Sequence, residues 1–181
     1  GAGTLIARDL YDGIRLAGPS DVSAIIDLIT PLEASGILVA RPRDELTRDV
    51  HRGFYYVLTR DDRILCCAML KRYATTSAEL GCLVTSRKYR KQGHGDAMLA
   101  FVERTAINAG VTDLFALSTH TMQWFMERGF AEVGLSALPE RRQRLYNRVR
   151  ASKIYMKPLA SSRRVDAEEL FWAEQSRSRN A

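Results

Sequence analysis

The stretch Arg90-Lys91-Gln92-Gly93-His94-Gly95 lies between an apolar strand pattern that ends near Thr85 and a helical pattern that takes hold at Met98. Two glycines let a backbone approach an anion with no Cβ in the way. A helix that starts here leaves its first N–H groups unpaired, with the positive end of its dipole behind them. Arg90 adds a fixed charge at the rim. The loop is not a Walker-type loop, because no Gly-Lys-Ser/Thr follows, and it is one glycine short of the dinucleotide fingerprint. It reads as a seat for a phosphate; the plain alternative is a glycine-containing strand-to-helix turn.

Upstream of the loop, Ala78 to Thr85 reads as the strand that feeds it, preceded by a β-hairpin of Phe54 to Thr59 and Ile64 to Leu70 around Arg60-Asp61-Asp62-Arg63. Before the hairpin, Gly13 to Ala17 begins a strand, and Pro19-Ser20-Asp21 supplies helix-start chemistry ahead of Val22, Ile25, Ile26 and Ile29, which share one helical face. Pro31 is expected to kink or end that helix, and a second short helix is expected from Asp44 through Val50. Downstream, Met98, Phe101, Val102, Thr105, Ala106 and Ala109 recur at helical spacing until Gly110. A strand at Leu114 to Ser118, a helix at Thr121 to Arg128, a strand at Phe130 to Leu135, a short helix near Pro139 to Tyr146 and a strand at Ser152 to Lys157 complete the pattern. The order β-α-α-β-β-β-α-β-α-β-α-β is mixed α/β, a central sheet with flanking helices. Residues 1–12 read as a linker, 13–159 as one domain and 160–181 as a frayed helical tail.

The chain has 181 residues, 46% hydrophobic and 27% charged, which suits a single globular domain with a sizeable core. No apolar run approaches the roughly 20 residues of a membrane span, and no basic-then-apolar leader is present, so a soluble chain is expected. The sequence begins without Met, which suggests a processed or excised chain. Cys66, Cys67 and Cys82 lie in apolar runs without metal-ligand spacing and read as buried free thiols of a reducing compartment, with no metal expected. The net charge of +6 gathers in two clusters, Arg87 to Lys91 and Arg141 to Lys153. Both suit a polyanionic ligand or an acidic substrate. Nucleic acid is the lesser candidate, since the basic residues are not interleaved with aromatic platforms.

The loop matches Arg/Gln-x-x-Gly-x-Gly/Ala, the pyrophosphate loop of the GNAT acetyltransferases, and the element order is that of the GNAT fold. The resemblance narrows through Glu79-Leu80-Gly81-Cys82-Leu83-Val84, Leu117-Ser118-Thr119, Trp124 to Phe130, Leu138-Pro139-Glu140, Leu145-Tyr146-Asn147 and Arg150-Ala151-Ser152-Lys153. Upstream, Gly13-Ile14-Arg15 and Pro31 to Val39 with Arg41 belong to the same pattern. From about Gly13 to Leu159 the chain resembles the acetyltransferase domain of the N-acetylglutamate synthase family. Gly3-Thr4-Leu5-Ile6 is similar to the tail of the amino-acid kinase-like domain that precedes it there.

That resemblance implies acetyl-CoA as cosubstrate and L-glutamate as acceptor, with direct transfer in a ternary complex and no metal. It implies acetyl-CoA contacts at Cys82, Leu83, Val84, Arg90, Lys91, Gln92, Gly93, His94 and Gly95. Glu79, an acid in an otherwise apolar strand, occupies the position of the family's proposed base, and the need is chemical: an amino acid at neutral pH is an ammonium and must lose a proton before it attacks. On periodicity alone Glu79 is equally a carboxylate exposed at a strand end. Many GNAT enzymes carry a Tyr acid four residues before the Gly-Phe pair, and here that residue is Phe125. The family's alternative acid is a Ser, matched by Ser118, whose other reading is a helix cap; His120 is a further candidate relay. Backbone N–H groups around Cys82 and Leu83 are expected to face the developing oxyanion, with Cys82 itself packing rather than acting as nucleophile.

Glutamate carries two carboxylates and calls for cations of fixed geometry. The resemblance gives Arg41, Cys82, Arg150 and Ser152 as the acceptor contacts, with Arg148 taking the place of Arg150 if the alignment slips by two positions. The implied activity is the first step of arginine biosynthesis; arginine feedback, if present, would lie mainly in the kinase-like domain. A homo-oligomer in a bacterial cytoplasm or an organelle matrix fits that family. The rival readings are a GNAT enzyme for another amine and a non-catalytic acetyl-CoA sensor.

Overall fold

In a computed structural model of the chain, residues 13–160 are described. The expected linker at 1–12, its likeness to a kinase-domain tail and the expected helical tail from 161 onward lie outside them. Seven strands form one sheet in the order β1-β2-β3-β4-β5-β7-β6. They are β1 (Ile14–Leu16), β2 (Tyr55–Arg60), β3 (Arg63–Ala74), β4 (Ser77–Thr85), β5 (Asp113–Ser118), β6 (Ala131–Val133) and β7 (Lys153–Pro158). The helices are α1 (Val22–Ala34), α2 (Arg43–His51), α3 (His94–Asn108), α4 (Met122–Glu127) and α5 (Glu140–Arg144).

β2 and β3 meet in a two-residue turn in which Asp61 and Asp62 take φ of 50° and 60°. Two left-handed residues give the turn a twist that matches its strands, and aspartate tolerates that region better than most side chains. Pro31, expected to kink or end the first helix, does not end it: α1 runs on to Ala34. Pro31 and Asp27 lie on the exposed face, so water can satisfy the carbonyl that loses its donor, while the buried Ile25 and Ile29 hold the opposite face to the sheet. The helix stops instead where Gly36 turns left-handed at φ 77°.

Both faces of the sheet are covered, which is why β3 is buried without interruption from Leu65 to Met69. Its side chains alternate: Cys66 and Ala68 join Met98, Val102 and Ala106 of α3, while Cys67 and Met69 join Ile25 and Ile29 of α1 and Leu46 and Val50 of α2. All three cysteines are buried and free.

Two irregularities of β4 create the space for a site. The first is a bulge. Cys67 pairs with Val84 and Met69 with Gly81, so Cys82 and Leu83 together oppose Ala68, and Cys82 takes φ 49°. The bulge resets the alternation of the strand. Leu80 packs toward α3, but after the bulge Cys82 and Val84 pack toward α1. The second is a splay: β4 and β5 pair in parallel only from Ser77 to Glu79, and no pairing joins them beyond Glu79 opposite Phe115. From that point the two strands diverge, and β5 continues on its other side against β7 as far as Ser118.

Candidate active site

Two cavities flank the divergence. The one on the α3 side, about 460 Å³, is lined by Leu83 and Thr85 of β4, by Arg90, Lys91, Gly93, His94 and Gly95 of the glycine loop, and by Trp124, Phe125 and Arg128 around α4. Gly93 is left-handed at φ 80°, and nothing stands within 4 Å of where a Cβ would be. The first bond of α3 runs from the Ala97 N–H to the Gly93 carbonyl. The N–H groups of His94, Gly95 and Asp96 precede it and have no acceptor within the helix. An open glycine, unpaired helix donors and two cationic side chains fit a pyrophosphate. Gln92 is exposed and lines neither cavity, and the Cys82 and Val84 side chains lie on the opposite side of the sheet.

Sequence reading missed Trp124 and Arg128. The Arg128 guanidinium sits 4.1 Å from the Trp124 ring centre and is paired with Asp96 at 2.5 Å. Their signal was present in the spacing, since Trp124 and Arg128 are one helical turn apart. Phe125 occupies the place where a tyrosine acid would stand, and it is packed with Phe130 and stacked on Tyr155.

The second cavity, about 330 Å³, opens on the other side of the sheet and is lined by Arg41, Glu79, Gly81, Cys82, Arg142, Arg150 and Ser152 among others. Five of the residues expected at the acceptor and base positions, Arg41, Glu79, Cys82, Arg150 and Ser152, thus meet in one space. Arg148 is exposed and does not line it. Glu79 is only 7% exposed, and the expectation of a solvated strand-end carboxylate does not describe it. Arg142 donates to it through Nε to Oε2 at 2.7 Å and through Nη2 to Oε1 at 3.4 Å.

Each arginine here keeps a buried nitrogen without a partner: Arg41 Nε, Arg142 Nη1 and Arg150 Nε. Arg150 spends Nη2 on the carbonyls of Gly36 and Ile37, at 3.2 and 3.1 Å. Arg41 is let in by Gly81, where a Cβ would stand 2.8 Å from Met69 Cε and 3.3 Å from Arg41 Nη2. Burial works against the charge of Arg41, but Cys82, Tyr55, Glu79 and Glu45 around it raise its pKa above the ordinary value. The Cys82 thiol is brought down to about 7, first by the Cys67 thiol and then by Arg41 and Tyr55, against the opposing effect of burial. Ser152 is buried, and its carbonyl accepts the Tyr146 hydroxyl at 2.7 Å.

Ser118 ends β5 between the two cavities and lines neither; its neighbour Leu117 lines one and Thr121 the other. Its hydroxyl accepts from the N–H groups of His120 and Thr121 at 3.3 and 3.2 Å and lies 2.6 Å from Thr121 Oγ1. These bonds make a Ser turn that leads into α4; the cap position of that helix is Thr121, which has no side-chain cap bond, so Ser118 is not its cap. His120 is exposed, with Nδ1 2.5 Å from Thr119 Oγ1. Among the described residues no group of three or more His, Cys, Asp or Glu side chains could hold a metal ion, and no helix is long and apolar enough to cross a membrane.

The profile of the family described as Increased DNA methylation 1, C-terminal domain, matches residues 23–155. The chain belongs to this family. Among curated proteins it is 42% identical over 160 residues to the amino-acid acetyltransferase of Pseudomonas putida strain KT2440, covering 88% of this chain and 37% of that protein. The amino-acid acetyltransferase of Azotobacter vinelandii is 41% identical over the same shares. The chain therefore spans little more than a third of the length of these relatives. Among solved structures, N-acetylglutamate synthase from Neisseria gonorrhoeae complexed with coenzyme A and N-acetyl-glutamate superposes with a TM-score of 0.78 at 37% identity, over 81% of this chain and 35% of that one. A GNAT-family acetyltransferase from Staphylococcus aureus, 16% identical with a TM-score of 0.70 over 81% of this chain and 98% of that one, shares the fold. The fold is that of the GNAT acetyltransferases, and the resemblance to the acetyltransferase domain of N-acetylglutamate synthases holds in both sequence and structure.

Proposed function

We propose that this domain transfers the acetyl group of acetyl-CoA to the amino group of L-glutamate, giving N-acetyl-L-glutamate and CoA by direct attack in a ternary complex. The observation that carries the reading is the set of three unpartnered, buried guanidinium nitrogens on Arg41, Arg142 and Arg150 around one cavity. Buried donors without acceptors are costly, and three of them around one space call for an anion with more than one acceptor group. A dianionic amino acid meets that need; a polyamine or aminoglycoside would place cation against cation.

Acetyl-CoA supplies the activated acyl group when bound, and the glycine loop, the first turn of α3 and Arg90 are the groups suited to hold its pyrophosphate. Glu79 accepts the ammonium proton, so the neutral amine presents its lone pair to the thioester carbonyl. Backbone N–H groups at the Cys82–Leu83 bulge are suited to the negative charge that develops on the carbonyl oxygen. As the carbon–sulfur bond breaks, the nitrogen sheds its second proton to become an amide and the departing thiolate takes that proton up, while Ser118 orients and hydrogen-bonds the sulfur there. A Ser hydroxyl is a poor acid, so orientation is its larger share. The reading extends to a full-length protein with an N-terminal kinase-like domain, assembled as a homo-oligomer and acting at the first step of arginine biosynthesis in a bacterial cytoplasm or an organelle matrix; the greater length of the relatives supports only that such a protein is longer than this chain.

The test is a pair of arginine variants. Arg150→Ala raises the KM for glutamate, the lost charge-assisted contact costing about 2–5 kcal/mol, and leaves the KM for acetyl-CoA nearly unchanged. If Arg148→Ala has that effect and Arg150→Ala does not, the acceptor site is wrongly assigned.

A further inference from the structure

Glu79 and Arg142 stand 63 positions apart in the chain and meet only because α5 lies against β3 and β4 beside the last residues that pair with β5. Their side chains are 9% and 14% exposed. The ion pair occupies two of the three guanidinium nitrogens, and the third, Nη1, is buried and unpartnered beside the cavity that Arg142 lines. A guanidinium is a rigid planar fork, so the bonds that fix Nε and Nη2 on Glu79 also fix the direction of Nη1. The Tyr73 ring, 5.8 Å from Arg142 Cζ, packs against the same group and narrows its swing.

We propose that Arg142 is a positioning and specificity-determining residue for the acetyl transfer, holding Glu79 in one orientation and offering Nη1 to a carboxylate beside the acceptor's ammonium. This rests on the reading of the cavity as an amino-acid acceptor site. An acceptor whose carboxylate docks on Nη1 brings its nitrogen to the one place where Glu79 can take the proton. An amine without that carboxylate has no such anchor and reaches Glu79 only in a fraction of its bound poses. A purely structural ion pair tying α5 to β4 behaves differently, because its loss weakens folding and slows every acceptor alike.

The experiment measures thiol release by the full chain with glutamate and with 4-aminobutyrate, which keeps the amine and the distal carboxylate but lacks the α-carboxylate. It compares wild type, Arg142→Gln, Arg142→Lys, Glu79→Gln and the Glu79→Gln/Arg142→Gln double variant. Arg142→Gln lowers kcat with glutamate by about tenfold or more, narrows the kcat/KM preference for glutamate over 4-aminobutyrate by a similar factor, and leaves acetyl-CoA affinity within about twofold. Arg142→Lys keeps the charge without the fork, so it recovers KM for glutamate more than kcat. In kcat at saturating glutamate the double variant is no more than about twofold slower than Glu79→Gln alone, because on the chemical step Arg142 acts through that carboxylate, while its KM for glutamate still rises with the loss of Nη1. Should Arg142→Gln fail to fold, the Lys variant and its double with Glu79→Gln carry the same comparison. Losses in kcat that multiply in the double variant, or an unchanged acceptor preference in Arg142→Gln, overturn the inference while the acceptor assignment stands. A wild type that prefers 4-aminobutyrate to glutamate overturns both.

Discussion

Glu79 shows why one residue can be legible by type and illegible by surroundings. An acid inside an apolar strand stands out in the sequence, but its partner Arg142 comes from Glu140-Arg141-Arg142-Gln143-Arg144, five consecutive polar residues among which nothing local marks the second arginine. Only the fold separates it from its neighbours. The same holds for Ser118, whose hydroxyl serves the turn into α4; that role followed from its position at a boundary, whereas any contact with sulfur depends on a bound ligand. Glu79→Gln keeps the shape and removes proton acceptance, so turnover falls about 10²–10⁴-fold, and Ser118→Ala costs less, both read by steady-state thiol release. Wild-type turnover in Glu79→Gln would reassign the base. Gly93→Val forces a β-branched residue to φ 80° and fills open space at the loop; acetyl-CoA binding falls steeply in calorimetry while the circular dichroism spectrum is kept. Cys82 yields a pH prediction. Its thiolate forms above a pKa of about 7 rather than the ordinary 9.0, so modification by iodoacetamide rises as pH passes through about 7, and bound glutamate slows it. A rise only near pH 9 would contradict the influence of Cys67 and Arg41 on this thiol.

Among the elements, the periodic ones were readable and the irregular ones were not. The apolar spacing of α1 and α3 and the hairpin of β2 and β3 follow from side-chain alternation and turn chemistry. The passage of α1 through Pro31 does not, because it depends on which face of the helix meets water. The bulge at Cys82 was expected from the family and could not be derived from composition, since Gly-Cys-Leu-Val alternates plausibly in either register; yet it is what puts Gly81 and Cys82 on one cavity and Leu83 on the other. The start of α1 offers a clean test of local stabilisation. Asp21 accepts the Gly18 N–H at 2.8 Å and pairs with Arg15 at 2.7 and 2.8 Å, and these contacts hold its pKa below the ordinary 3.8, the Arg15 hydrogen bond contributing most. A depressed carboxylate contributes stability that is present above its unfolded pKa and is lost as pH falls through the folded value. Asp21→Ala therefore lowers unfolding free energy at pH 7 by about 0.5–2 kcal/mol in urea titrations, and the deficit shrinks once pH drops below 3.8. A deficit independent of pH would assign the loss to packing instead.

At the scale of the molecule, the divergence of β4 and β5 organises everything else. It opens a cofactor-side cavity against the start of α3 and an acceptor-side cavity under residues 37–42, α2 and α5, with Glu79, which lines the second, at the last paired position. Basic residues 41, 142 and 150, scattered in sequence, are collected around the second cavity with three donors unpartnered. The claim that this collection selects a dianionic amino acid for acetylation is tested most directly by thiol release from acetyl-CoA with glutamate, glutamine and spermidine as acceptors under identical conditions. Glutamate is expected to give the highest kcat/KM, glutamine at least about tenfold less through loss of one carboxylate, and spermidine no release above the acceptor-free rate. Release with spermidine equal to or faster than with glutamate would contradict the account.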